Sequence, residues 1–143
     1  MELGLKNATN PLTCDIVKYI YDKYNTDPEF LWERSPQNAA FRNKRTGKWF
    51  AALLMSLSKE HLGLPFGEKV DIINLKCDPL FISLTVDGKG YFRGYHMNKE
   101  NWISVLLDGT VPFEEICEII DMSYKIIDEK QGGRSSGFQK CTY

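Results

Sequence analysis

From residue 12 onward the apolar positions first recur with a helical period. Leu12, Ile16, Tyr19, Ile20 and Tyr24 fall on one face of a 3.6-residue repeat. Thr9 or Asn10 provides the cap, Pro11 sits in the first turn where its missing N–H does no harm, and Asn25-Thr26-Asp27-Pro28 ends the run. The spacing predicts a helix over 11–24. The pattern then changes to that of strands. Phe30-Leu31-Trp32 is a short apolar run broken by Ser35-Pro36. Residues 39–43 and 48–57 flank Lys44-Arg45-Thr46-Gly47, where Gly47 can supply a positive φ, so the two arms read as a hairpin. In the second arm Trp49, Ala51, Leu53 and Met55 point one way and Phe50, Ala52 and Leu54 the other. Both faces are apolar, which fits a central strand or one covered on both sides.

Residues 58–67 read as a loop with a helical turn at Lys59-Glu60-His61-Leu62, and 70–76 as a further strand. Asp78-Pro79 opens a short helix, the aspartate capping free N–H groups and the proline taking the first position, and Asp87-Gly88 ends it. Residues 89–95 (Lys-Gly-Tyr-Phe-Arg-Gly-Tyr) read as a glycine-punctuated aromatic loop. Residues 102–107 form a strand closed by Asp108-Gly109. A last helix starts at Pro112, has Glu114 and Glu115 in its first turn, carries Phe113, Ile116, Cys117, Ile120, Tyr124 and Ile127 at helical spacing, and runs to Lys130. The order of elements implies an α+β fold with a mainly antiparallel sheet and helices packed against it. The expected organisation is one domain over 11–130, a polar N-terminal extension over 1–10 and a flexible tail over 131–143 containing GGRSSG.

Composition narrows the function classes. The chain has 143 residues, 43% hydrophobic, with a formal net charge of −1, which suits a single globular domain and lacks the basic excess of a dedicated nucleic-acid binder. Any nucleic-acid site has to be a local patch. Cys14, Cys77, Cys117 and Cys141 include no CxxC pair and the only histidines are His61 and His96, so no zinc site, no metal and no cofactor is expected. No secretory leader and no span long enough for a bilayer are seen, which gives an expectation of a cytoplasmic protein with reduced thiols and no membrane partner. The P-loop, GxGxxG, HExxH and GxSxG patterns are absent, which disfavours ATPases, dinucleotide oxidoreductases, zinc proteases and α/β-hydrolases.

Several segments carry a resemblance. PEFLWERSPQNAAFRN with GKWFAALL, VDIINLKCDP, GYHMNKENWISVLLDGTVP and the helix ending in IDMSYKI closely resemble the MmcQ/YjbR family from about residue 12 to 128. The most specific pieces are Asn74-Leu75-Lys76-Cys77-Asp78-Pro79 and Tyr95-His96-Met97-Asn98-Lys99, joined by Trp102 and Leu107-Asp108-Gly109. The resemblance implies a two-layer sandwich with a five-stranded antiparallel sheet in the order α-β(3)-α-β(2)-α, CyaY-like and secretion-chaperone-like. The family is often given a DNA-binding label from a proposed "double wing" of sheet hairpins, a label resting on fold analogy, and it supplies no agreed catalytic residues. The polar start before residue 11 and the tail after 130 lie outside the pattern.

Two groups of residues are candidates for contact with a partner. Arg42, Lys44, Arg45 and Lys48 put four basic side chains and no acidic one on the hairpin tip, as a nucleic-acid wing requires. The same charges would also serve as a solvated turn that discourages edge pairing. Tyr95, His96, Asn98 and Lys99, with Lys76 nearby in the family pattern, could converge on an anionic or phosphate ligand, or tie their own loop to the backbone. Alternation places Asn74 and Lys76 on one strand face. Cys77 reads as a reactive thiol or, more simply, a small buried residue. Tyr91, Phe92 and Tyr95 with Arg93 would stack on bases or close one end of the core. The leading expectation is a non-enzymatic domain binding DNA or RNA through the basic hairpin and the His/Lys loop. The alternative is a module for a protein or small ligand, which would show as a concave, partly apolar pocket or an exposed apolar patch. An enzyme using His96 as acid or base is the third reading.

Overall fold

The computed structural model describes residues 11–130 with the exception of residue 66. The chain forms α1 (Pro11–Tyr24), β1 (Ala39–Arg42), β2 (Trp49–Leu57), a 3-10 turn at Lys59–Leu62, β3 (Val70–Lys76), α2 (Pro79–Thr85), β4 (Tyr91–Arg93), β5 (Trp102–Leu106) and α3 (Phe113–Lys130). The five strands make one antiparallel sheet in the order β1-β2-β3-β5-β4. This is the α+β arrangement expected from the sequence. The expected cap at Thr9 or Asn10, the extension over 1–10 and the tail over 131–143 lie outside the described residues.

Two local expectations differ. Tyr91–Arg93 is a strand rather than loop: it pairs with Val105, Ser104 and Ile103 of β5. Asp87 Oδ1 accepts the N–H groups of Lys89, Gly90 and Tyr91 at 2.8, 3.0 and 3.1 Å, which turns the chain from α2 straight into β4. Conversely, Phe30–Trp32 forms no strand; the backbone pairing of this segment with the sheet is a single bridge between Glu29 and Ala40. At α2, Asp78 accepts from the Leu80 N–H at 3.1 Å and Pro79 takes the first turn, as the sequence indicates.

The two faces of the sheet are closed differently. One face packs against all three helices, with Phe41, Leu53, Ile73, Leu75, Ile103 and Val105 meeting Ile16, Ile20, Ile82, Ile116 and Ile120. The other has no helical layer: Val70, Ile72, Phe92 and Leu106 are covered by Leu57, Leu62, Leu64 and Tyr95 from strand ends and loops. β2 runs between the two, which accounts for its apolar character on both sides. Near its end β2 bulges, Ser56 has φ 58°, and the Ser56 N–H displaced from the ladder donates to the buried carboxylate of Asp71 at 2.9 Å. Asp71 also accepts from Thr13 Oγ1 of α1 at 2.5 Å.

α1 is fastened to α3 by one carboxylate. Asp121 accepts from Tyr24 Oη at 2.6 Å, Tyr19 Oη at 2.8 Å and Lys23 Nζ at 3.0 Å. Beside it the Tyr24 and Tyr124 rings stack at 3.9 Å, and Phe50 of β2 meets Tyr124 edge-on. Burial pushes the Asp121 carboxyl up, but the bonds from Tyr24, Lys23 and Tyr19 outweigh it and hold the group below its ordinary 3.8. A depressed folded-state value makes the clip stabilising in full above about pH 4, and its contribution fades as pH falls through the folded value. Asp121→Asn is expected to cost about 1–2 kcal/mol at neutral pH, the lower part of the range for bonds to a charged group because Asp121 is partly exposed. The variant should also flatten the fall in melting temperature as pH drops below about 4. Identical acid slopes for the two proteins would show that Asp121 does not carry this dependence.

Candidate functional site

The helix-free face holds a cavity beside the β4–β5 loop. It is a cleft of about 880 Å³. β2 and β3 give it a floor of Ala52, Leu54 and Asn74; the segment before β1 brings Leu31 and Trp32, and the β4–β5 loop brings His96 and Met97. Trp49, at the start of β2, meets Trp32 edge-on with ring centroids 5.5 Å apart, a favoured geometry for aromatic pairs. Glu33 and Arg34 are exposed and are the only charged residues of the lining. The result is an aromatic and aliphatic hollow with a few polar groups, of the size typical of small-molecule sites.

The β4–β5 loop is held over the sheet by buried polar groups. Asn74 of β3 and Ser104 of β5 face each other across the ladder, and both are fully buried. Ser104 Oγ donates to Asn74 Oδ1, Asn74 Nδ2 donates to the Tyr95 carbonyl at 3.0 Å, and the Tyr95 N–H donates to Ser104 Oγ at 2.9 Å. Every polar atom of this triad therefore has a partner, as burial demands. Within the loop, Asn98 Oδ1 accepts from the Glu100 N–H at 2.9 Å and Lys99 Nζ donates to the Gly94 carbonyl at 2.8 Å. Gly94 is required by close approach: a Cβ there would lie 2.7 Å from Trp102 Cβ. His96 takes the left-handed conformation at φ 62°, its ring 4.0 Å from that of Tyr95, which in turn lies over His61 at 6.0 Å. Such a conformation is uncommon for a residue with a side chain.

The family model described as YjbR matches residues 21–126, well over half of the chain. The chain belongs to the YjbR family. It is 39% identical over 112 residues to the uncharacterized protein YyaQ of Bacillus subtilis (strain 168), covering 78% of this chain and 94% of YyaQ. Among solved structures, the crystal structure of a Pseudomonas syringae protein superposes with a TM-score of 0.75 at 36% identity, covering 80% of this chain and 97% of that one. A Deinococcus radiodurans protein has a TM-score of 0.63 at 20% identity, covering 89% of this chain and 86% of that one; it shares the fold.

Against this YjbR frame the sequence candidates separate. The basic side chains of the hairpin are divided between the two sides of the sheet. Arg45 turns towards the helical side, where Nε meets Asp128 Oδ1 of α3 at 3.1 Å and Nη2 donates to the Asp128 carbonyl at 2.5 Å. Asn43 Nδ2 reaches the same carboxylate at 3.1 Å. Arg42 pairs with Glu29 at 3.0 Å, donates to the Gly47 carbonyl and lies 6.0 Å from the Trp49 ring centre. Lys44 and Lys48 are exposed. Lys76 is 8% exposed, at the end of β3 over the Trp102 ring. Of the second group, His96 lines the cleft, while Tyr95, Asn98 and Lys99 make the bonds that shape the loop. Cys77 is 2% exposed, and burial, with Asp78 adding to it, pushes its thiol up to about 12, the condition of an inert cysteine. Tyr91 and Phe92 are buried on opposite faces of the sheet and close the two cores.

The Trp32–Trp49 pair was not singled out from the sequence. Its signal was present as an apolar run, Phe30-Leu31-Trp32, that ends at Ser35-Pro36 too early to make a strand. Alternation puts Asn74 on one strand face with Lys76 but gives no sign of its tie to Ser104, which lies 30 residues away. Asn74→Ala would leave Ser104 Oγ without its acceptor and the Tyr95 carbonyl without its donor. The expected cost is about 1–3 kcal/mol, read as a lower melting temperature together with faster amide exchange over residues 94–101. Unchanged exchange in that segment would show that the triad does not hold the loop.

Proposed function

We propose that this protein is a binding module whose site is the cleft on the helix-free face, and that the ligand is a small organic molecule with a flat, largely apolar body. The observation that carries the reading is the Trp32–Trp49 pair at the side of a hollow of about 880 Å³ lined also by Leu54, His96 and Met97. Aromatic rings offer large, rigid contact area at little conformational cost, and the rim groups Glu33, Arg34 and His96 supply orientation. The left-handed His96 supports the same reading, since such backbone conformations collect at ligand sites.

The ion pairs of Arg42 and Arg45 favour the cleft over the hairpin as the binding element. Each arginine would have to leave a carboxylate, Glu29 or Asp128, before it could reach a phosphate. A nucleic-acid wing would then rest on Lys44 and Lys48, in a chain whose formal charge is −1. Phosphate contacts dominate nucleic-acid affinity, so two lysines make a weak electrostatic footing.

The test is an NMR titration of isotope-labelled protein with indole, quinoline and adenine, each at millimolar concentration, alongside fluorescence anisotropy of labelled duplex and single-stranded DNA and of RNA at low and near-physiological salt. Shift changes are expected at the Trp32 and Trp49 indole N–H groups, Asn74 and His96. Trp49→Ala should weaken binding roughly tenfold, the scale of one lost aromatic contact. Shifts that miss these residues would overturn the cleft reading. Salt-sensitive nucleic-acid binding that is lost in Lys44→Glu/Lys48→Glu would return the function to the hairpin.

A further inference from the structure

The exposed large apolar side chains of the described residues are not scattered. Phe30 and Leu31 belong to the segment beside the cleft; Leu80 and Leu84 are on α2, and Met122 lines a groove between α2 and α3 on the helical side of the sheet. That groove measures about 520 Å³. Its apolar lining includes Phe81 of α2, Tyr91 of β4 and Ile119 of α3. Leu80 and Leu84, on the same short helix as Phe81, are one helical turn apart and 66% and 77% exposed. The core does not account for them: of the seven residues of α2 it fully buries Ile82. Exposed apolar side chains on a helix that also walls a groove are a feature of interaction sites.

The facing wall is acidic. Glu114, Glu115 and Glu118 of α3 line the groove. Glu115 accepts from the Tyr91 hydroxyl. No salt bridge within the described residues reaches Glu114 or Glu118. The first-turn position of Glu114 and Glu115 suits the helix dipole. Glu118 lies a turn further on, beyond the reach of that explanation.

We infer that the α2–α3 groove docks a basic amphipathic segment of a partner protein, apolar anchors entering over Leu80, Leu84 and Phe81 while lysine or arginine side chains meet Glu114 and Glu118. Apolar side chains at i, i+3 and i+4 of a helical segment match a groove of this type. Carboxylates that have no salt bridge among the described residues, as Glu114 and Glu118 here, select a cationic occupant and repel an acidic one. The surface is independent of the cleft, from which the sheet separates it.

The experiment is fluorescence anisotropy of a short labelled peptide of leucine and lysine at helical spacing, titrated with the full chain, with a counterpart carrying glutamate for lysine. Leu84→Ser and Glu118→Lys alter exposed positions, and thermal melting checks that both variants fold. The lysine peptide is expected to bind, to weaken as salt rises, and to lose roughly tenfold in each variant, with Trp49→Ala leaving it unchanged. Absent binding, equal binding of the glutamate peptide, or indifference to both groove variants would overturn the proposal. Sedimentation of the protein alone completes the test: a dimer dissolved by Leu84→Ser and Glu118→Lys would give the groove to a second copy of this chain, and the partner proposal would fall.

Discussion

A sheet with helices on one side has a second face to close, and here the closing depends on three buried polar groups. Asn74, Ser104 and the backbone of Tyr95 exchange hydrogen bonds on the floor of the helix-free face. They draw the β4–β5 loop down across β3, so that Tyr95 covers the small second core and His96 turns into the cleft. Polar groups in that position are costly when single and rigidifying when all are matched. The loop's shape follows from this anchoring, with Gly94 accepting the close contact with Trp102 and Lys99 fastening the turn to the Gly94 carbonyl.

The two sides of the sheet are thereby suited to different tasks. The helical side holds the main core, and the clip at Asp121 and the buried carboxylate of Asp71 join α1 to α3 and to the strands. The other side is covered thinly by loops, and the cleft lies where that cover is incomplete. Basic residues that a linear reading groups together on the hairpin are distributed across this division. Arg45 is held by α3, whereas Arg42 lies against Trp49 and Glu29.

Patterns carried by neighbouring residues were legible. Helical periodicity located α1 and α3, Asp78-Pro79 located α2, and the two apolar faces of 49–57 identified a strand covered on both sides. β4 was hidden because three residues between Gly90 and Gly94 are too few for an alternation to show. The strand exists because Asp87 organises the preceding turn and β5 offers an edge. The site was legible in fragments. His96, Asn98 and Lys99 stood out as an unusual cluster, but their division into a cleft residue and two loop fasteners depends on where β3 and β5 pass beneath them. The fate of the arginines rests on carboxylates 13 and 83 residues away, information that no local window contains.

β2 has a consequence for the birth of the molecule. Its nine residues, Trp49 to Leu57, contain no charge. The protection of its inner face comes partly from α3, through Tyr124 against Phe50 and the Ser123 hydroxyl on the Phe50 carbonyl at 2.6 Å. α3 follows every strand in chain order. During synthesis this uncharged stretch therefore leaves the ribosome well before its cover does. In that interval an uncharged, strand-forming segment is open to pairing with copies of itself. The finished fold covers that segment, so self-pairing through it is open to the growing chain and closed to the folded one.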